Sequence, residues 1–562
     1  MAVSEDSDQP SPSNKTTTDD DHSLVLDLSK DDPLFEQKKK LLQEKGFSPT
    51  ERVYFSSSSC FACVNTTLET LLHRARVIHL NETELYFGEM NIDPPEEFYS
   101  PRNELEALNF IISLIDISLE NCIHEATSFL QDLRSAAVQK VCDFGEKYKF
   151  ETRTVENVCD KEKLLLQWAQ SNGVKSRLRI AYVEDAGRGA LAVEDLRIGE
   201  TALEIPVSMI ISEDLVHESD MFHILEKIDG ISAETMLLMW SMRERHDSNS
   251  KYKIYFDTFP ENFNTGLSFG VESIVALEGT LAFEEICQAK EHLHSQYDKM
   301  FPALCDSHPE IFPPEFYTWD QYLWACELWY SNSMRVMFTD GSLRTCLIPV
   351  AGFLNHSICP HIMNYGKVDS STNTLKFPLS RPCRAGEQCY LSYGNLSSSH
   401  LLIFYGFLPQ GDNPYDLIPL EIISDQESCF SEEGYSTSDS TTHMVRSTWF
   451  SKNHGIFHYG LPTPLLNHLR KAQNPCASTV TRANLENELE VLETLRSIFD
   501  AMNDGFGPVE DHWESHTWDV KLAVNYLYMQ RRIVSSNLNS CDEGSKMVKD
   551  LWVKCMAEDV RG

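Results

Sequence analysis

Gly386-Glu387-Gln388-Cys389-Tyr390-Leu391-Ser392-Tyr393-Gly394 reads as a turn, a short strand and a tyrosine set before a glycine, which places the Tyr393 phenol at a strand end. Tyr390, three residues earlier, need not face the same side, because side chains alternate along a strand. Upstream, Leu354-Asn355-His356-Ser357 follows a strand ending Ile348-Pro349-Val350, and its amide and imidazole groups can fix a polar ligand. Further back, Glu184-Asp185-Ala186-Gly187-Arg188-Gly189-Ala190 makes a tight turn in which Gly187 and Gly189 allow close backbone approach. It is not a dinucleotide fingerprint, since the third glycine is missing and no long βα unit follows. Each piece has an ordinary reading of its own: a hairpin turn, a common Asn-His pair (Asn467-His468 repeats it), a half-buried strand tyrosine. Their order and spacing make them specific together.

Around these pieces the pattern is mixed. Short strands centre on Ile180, Tyr182, Ala190, Ala192, Ala202, Leu203 and Ile205, and return at 345–350, 375–378 and 388–393. Between them, residues 212–342 are helical in composition and end in an aromatic run, with Trp319, Tyr322, Trp324 and Trp329, which reads as core. Helical stripes flank this middle. Leu105, Leu108 and Ile112, then Phe129, Leu133, Ala137 and Val141, define a helical region over 31–155. Leu485, Leu489, Leu492 and Leu495, then Val520, Leu522, Ala523, Leu527 and Ile533, define an all-α domain over 451–545. Residues 1–30 read as a disordered acidic tail, 411–450 as a linker with a polar insertion, and 546–562 as a C-terminal tail.

The chain has 562 residues, enough for several cores, with 42% hydrophobic residues. Lys and Arg number 48 against 85 Asp and Glu, a net charge of −37, which disfavours nucleic acid as a partner. No stretch is apolar enough to predict a membrane span, and the acidic start predicts neither a secretory signal nor a plastid transit peptide, so cytoplasm or nucleus is the expected compartment. The 16 scattered cysteines read as free thiols in a reducing compartment. Cys60 and Cys63 have zinc-like spacing, but one such pair is short of four ligands, so no metal site is assigned.

The ordered set Gly-Arg-Gly, a long insert, Asn-His-Ser, Gly-Glu-Gln, Ser-Tyr-Gly, Tyr405-Gly406-Phe407 and Asn413-Pro414-Tyr415-Asp416 resembles the SET-domain protein methyltransferases, in particular the Rubisco lysine methyltransferase-like branch. The resemblance covers 160–410 as the SET domain, with the helical insert at about 212–342, and 451–545 as a helical substrate-binding domain, recognisable at 461–470 and 525–534. It implies an α+β fold: a core of short β-sheets with a large helical insert, a helical N-terminal region and an all-α C-terminal domain. It implies S-adenosylmethionine as cofactor, held by Gly187, Arg188, Gly189, Ser333, Asn355 and His356, with Tyr405 and Phe407 walling the cofactor and substrate channel and Tyr393 as the active-site tyrosine. The family's Ser-Arg pair after the insert is here Ser333-Met334, leaving Arg335 one position on, and its Asp before Asn-His is replaced within Ala351-Gly352-Phe353. The implied reaction is methyl transfer to a side-chain nitrogen, lysine first, of a non-histone protein docked by the C-terminal helices. A histone lysine and a protein-binding scaffold with a weakened site are the alternatives.

Overall fold

A computed structural model of the protein describes residues 22–55, 61–88, 99–121, 127–149, 152–155, 160–184, 186–423, 440–473, 482–507 and 517–559. The chain divides into two units, one of residues 1–80 and 103–143 and the other of 81–102 and 144–562.

In the first unit the expected helical stripes are the buried faces. Leu105, Leu108, Ile112, Phe129, Leu133, Ala137 and Val141 are all nearly fully buried, together with Leu68, Leu71 and Leu72 of the helix Phe61–Ile78. The acidic tail is shorter than its composition suggested. His22–Asp27 is a strand, paired antiparallel with Thr50–Phe55, because Leu24 and Leu26 bury on one side while Val25 between them stays exposed on the other. Of the Cys60/Cys63 pair, Cys60 lies outside the described residues and Cys63 is exposed.

The second unit carries the α+β core. Lys175–Ser176, Thr201–Pro206, Thr374–Pro378 and Val368–Asp369 form one antiparallel sheet, and Thr154–Val155, Leu178–Val183 and Gly187–Ala192 another. Met334–Met337 pairs with Leu343–Cys346. Near Leu391 the chain makes two isolated parallel bridges, to His356 and to Ile362, so the Tyr393 segment is gripped from both sides. The insert between the sheets is helical, as expected. It ends in Trp319–Asn332, started by the Thr318 side chain accepting from the Gln321 N–H and stopped where Ser333 turns extended. Tyr322, Trp324 and Trp329 of that helix are buried among Leu237, Tyr252, Tyr255, Phe256 and Phe301.

The C-terminal helices are Thr463–Gln473, Arg482–Gly505 and Trp518–Asp559. Two expectations change here. The residues assigned to a C-terminal tail from 546 continue the last helix to Asp559, burying Val548 on its inner face. The stretch assigned to a linker holds an antiparallel pair, Ile418–Ile423 with Ser440–Val445, in which Ile418, Leu420 and Val445 are buried. The rest of the polar insertion lies outside the described residues.

Within these helices Glu488 is fully buried and takes two hydrogen bonds from Arg470, at 2.5 and 2.9 Å, and one from the Tyr459 hydroxyl at 2.8 Å. A buried ion pair broken on one side leaves an uncompensated charge. Arg470→Met is expected to cost about 3–5 kcal/mol in denaturant unfolding, whereas a loss under about 1 kcal/mol, the range of exposed ion pairs, would show that Glu488 finds another partner.

Candidate active site

The glycine turn, the Asn-His pair and the Tyr393 segment meet, although the strand expected over 388–393 reduces to isolated bridges at Gln388 and Leu391. Strands Leu178–Val183 and Gly187–Ala192 pair in register from Val183 with Gly187 to Leu178 with Ala192. A Cβ on Gly189 would stand 2.3 Å from Gln388 Oε1 and 3.3 Å from Asn355 Nδ2, so glycine is needed there for close approach. Asn355 Nδ2 donates to the Arg188 carbonyl at 3.0 Å and to Gln388 Oε1 at 2.7 Å, tying all three motifs into one frame. Gln388 is buried and donates onward to the Tyr390 hydroxyl. Gly189→Ala is therefore expected to break the Asn355–Gln388 bond and to weaken cofactor binding about tenfold, the worth of one such bond in a buried frame. Unchanged affinity by calorimetry would show that the frame does not shape the pocket.

His356 faces the same frame. Its Nδ1 accepts the Tyr393 N–H at 3.1 Å, which puts the ring proton on Nε2. Burial lowers its pKa to about 4, so it is neutral at physiological pH. Its ring lies 5.2 Å from that of Tyr393. On the other side Tyr393 stacks on Tyr405, with centroids 5.1 Å apart. The Tyr393 hydroxyl donates to the Leu354 carbonyl at 2.8 Å. Its pKa is raised, first by burial and then by the neighbouring phenols of Tyr405 and Tyr365, so it stays a neutral phenol.

Two cavities adjoin this frame and share Asn332 and Gly352 in their walls. One, of about 40 Å³, takes in Ser333, Met334, Tyr365, Tyr393 and Tyr405; the other, of about 180 Å³, takes in Arg188, Tyr255, Phe259 and Phe353. Between them runs the turn Ala351–Phe353, entered through Val350 at φ 73°, a left-handed conformation costly for a β-branched residue.

Of the residues proposed from sequence, Arg188, Ser333, Tyr393 and Tyr405 face these cavities. Gly187, Gly189, Asn355 and His356 build the frame behind them, and Phe407 backs Tyr405 edge-on at 6.4 Å without lining either cavity. The Arg188 side chain has a role of its own: Nη1 donates to Glu162 at 3.0 Å and to the Thr258 carbonyl, and the guanidinium lies 5.0 Å over Phe353. Arg335 does not replace the missing arginine. Alternation along Met334–Met337 turns Met334 inward and Arg335 outward to solvent. Sequence reasoning missed Gln388, Tyr365, Tyr255 and Asn332. Gln388 sat inside the Gly386–Gly394 motif and Asn332 directly before Ser333; the signal at Gln388 was an amide where a strand should bury an apolar residue.

Among the described residues one set, His361, Cys383 and Cys389, brings metal-type donor atoms within 4.8 Å of one another. His361 Nδ1 already accepts the Tyr390 N–H at 3.0 Å, so the lone pair of the ring's unprotonated nitrogen is taken by the backbone.

A model of the Rubisco LSMT substrate-binding family matches residues 29–164, a region in which the sequence reading placed no motif. The actin-histidine N-methyltransferase of Canis lupus familiaris is 24% identical over 269 residues, 46% of this chain and 44% of that protein. The chloroplastic Rubisco large-subunit N-methyltransferase of Nicotiana tabacum is 24% identical over 273 residues, 46% of this chain and 54% of that protein. The chain thus spans about half the length of the curated relatives it matches. Among solved structures, the SET domain of LSMT bound to lysine and AdoHcy superposes with a TM-score of 0.53 at 18% identity, over 70% of this chain and 93% of that one. LSMT bound to AdoMet superposes at 0.51 with 17% identity, over 70% and 94%. The chain therefore has the fold of the LSMT SET domain and, over a little under half of its length, is similar in sequence to Rubisco and actin-histidine methyltransferases.

Proposed function

We propose that this chain transfers a methyl group from S-adenosylmethionine to a side-chain nitrogen of a protein, a lysine of a non-histone substrate. The observation that carries the reading is Tyr393, partly buried between His356 and Tyr405 at the wall of one cavity whose neighbour opens beside Arg188. The two cavities share Asn332 and Gly352 in their walls, and the second holds a buried hydroxyl, that of Tyr255, with no partner among the described residues.

S-adenosylmethionine, when bound, supplies an activated methyl on a sulfonium. The chain's own part is alignment and exclusion of water. A free lysine amine has a pKa of about 10.4 and must be neutral to attack. The stacked rings of Tyr393 and Tyr405, with Tyr365 lining the same cavity, make a wall that disfavours the ammonium form. Because the Tyr393 O–H points to the Leu354 carbonyl, its oxygen lone pair remains to accept an amine N–H and set the nitrogen's direction. The raised phenol pKa makes Tyr393 an orienting group and not a base at neutral pH.

Docking of the protein substrate falls to helices outside the core. The C-terminal helices are one candidate surface, and the match of residues 29–164 to a substrate-binding model supports the N-terminal region as a second. The chain's −37 charge suits a basic segment, histone tails included, but carries no preference for them. A scaffold without turnover is the second reading, favoured by Met334 in place of the resembled family's arginine and by Ala351-Gly352-Phe353, where its aspartate is missing. Labelled methyl transfer into a cell extract, followed by mass spectrometry of the modified residue, separates these readings. Label on lysine supports the proposal, label on histidine redirects it, and no protein label above an enzyme-free control favours the scaffold.

A further inference from the structure

The second cavity contains a polar group that the methyl-transfer site does not use. Tyr255, in the short helix Lys253–Phe256, is 1% exposed, and its hydroxyl has no hydrogen-bond partner among the described residues. A buried hydroxyl left unbonded costs roughly 1–3 kcal/mol, so its retention calls for a partner present in another state. The ring is fixed edge-on to Phe259 at 4.9 Å, and both residues line the 180 Å³ cavity with Arg188, Asn332 and Gly352.

Gly352 makes the hydroxyl reachable. A Cβ there would lie 3.2 Å from Asn332 Oδ1 and 3.9 Å from the Tyr255 hydroxyl oxygen, so the missing side chain opens a space flanked by two oxygens. Asn332 Nδ2 is engaged with the Leu328 carbonyl and Ser331 Oγ, which leaves Oδ1 turned to that space as an acceptor. Burial raises the Tyr255 pKa well out of the physiological range, so the group is a permanent O–H donor. Arg188, on the same wall, is already paired with Glu162. The space thus offers one neutral donor and one neutral acceptor beside a compensated guanidinium, a pattern that fits a zwitterion of adjacent carboxylate and ammonium.

We propose that Tyr255 and Asn332 recognise the amino-acid end of S-adenosylmethionine, the Tyr255 hydroxyl donating to its carboxylate and Asn332 Oδ1 accepting from its ammonium. This rests on the methyl-transfer reading. It explains how the pocket works without the arginine and the aspartate of the resembled family: two neutral groups, both carried by the helical insert, stand in for them.

The test is calorimetric titration of the full chain with S-adenosylhomocysteine and with 5′-methylthioadenosine, which lacks the amino-acid end, for wild type and Tyr255→Phe. The variant is expected to bind S-adenosylhomocysteine about tenfold or more weakly, as for a lost hydrogen bond to a charged group, and to bind methylthioadenosine as wild type does. Its ligand-free melting temperature should stay level or rise, since an unbonded hydroxyl is removed. Gly352→Ala, which fills the space without touching Tyr255, should show the same selective loss. Unchanged S-adenosylhomocysteine affinity in Tyr255→Phe overturns this role and leaves the methyl-transfer reading standing. Equal loss for both ligands with a lowered melting temperature also overturns it, by marking Tyr255 as a packing residue. Absence of S-adenosylhomocysteine binding by wild type overturns both.

Discussion

Tyr393→Phe is expected to lower methyl transfer on the order of 10²–10³-fold, the usual cost of losing one preorganised hydrogen-bonding group at a reacting centre. The protein should remain folded and keep its cofactor affinity. The reason lies in where the hydroxyl sits. The ring is held by stacking on Tyr405 and by the His356 ring, neither of which Phe would lose. The backbone N–H of residue 393 still bonds His356 Nδ1 in the variant. What disappears is the hydroxyl and its bond to the Leu354 carbonyl, hence the oxygen that directs the amine. The effect should fall on kcat, with KM for cofactor little changed, because the group acts on alignment. Wild-type turnover by the purified variant on its true substrate would remove Tyr393 from the mechanism.

Gly406→Ala should have the largest structural effect of any single methyl addition near the site. Gly406 ends the turn Leu401–Tyr405 in a left-handed conformation, φ 76°. That conformation alone costs a non-glycine residue about 1–2 kcal/mol. The added Cβ would also fall 1.7 Å from the Asn264 carbonyl oxygen, a backbone atom that no side-chain rotation can move aside. The strain is expected to exceed about 4 kcal/mol, and relief requires the backbone to shift Tyr405 and Phe407 together. Chemical denaturation should show the lost stability, and activity should fall with it as the Tyr405 wall leaves Tyr393. A variant with wild-type stability would mean that the insert and the Tyr405 turn do not meet as described.

The parts of the fold that were legible in the sequence are those with a local, repeating signal. The helical stripes at Leu105 to Ile112 and Leu485 to Leu495 bury as their spacing requires, and the aromatic run from Trp319 to Trp329 is core because exposing it would be costly. The elements that escaped are pairings between distant short strands. His22–Asp27 sits at the edge of a Ser- and Asp-rich stretch, and only its partner Thr50–Phe55, across an intervening helix, makes its alternation meaningful. Ile418–Ile423 and Ser440–Val445 are likewise defined by each other across a polar segment. The site divides the same way. The motif pieces at Gly187, Asn355 and Tyr393 could be placed by order, but whether each side chain lines a cavity or braces the frame depends on atoms far apart in the chain. Asn355 braces because Arg188 and Gln388 surround its amide. Tyr255 had no readable signal, since its meaning rests on an unbonded oxygen opposite a glycine almost a hundred positions away.

The central claim is that the cavities beside Arg188 and Tyr393 hold S-adenosylmethionine. Calorimetric titration of the full-length chain with S-adenosylmethionine tests it most directly. The account predicts saturable one-to-one binding, at a Kd on the order of micromolar, that S-adenosylhomocysteine competes away. No saturable binding at millimolar cofactor, from a chain shown to be folded, would contradict it.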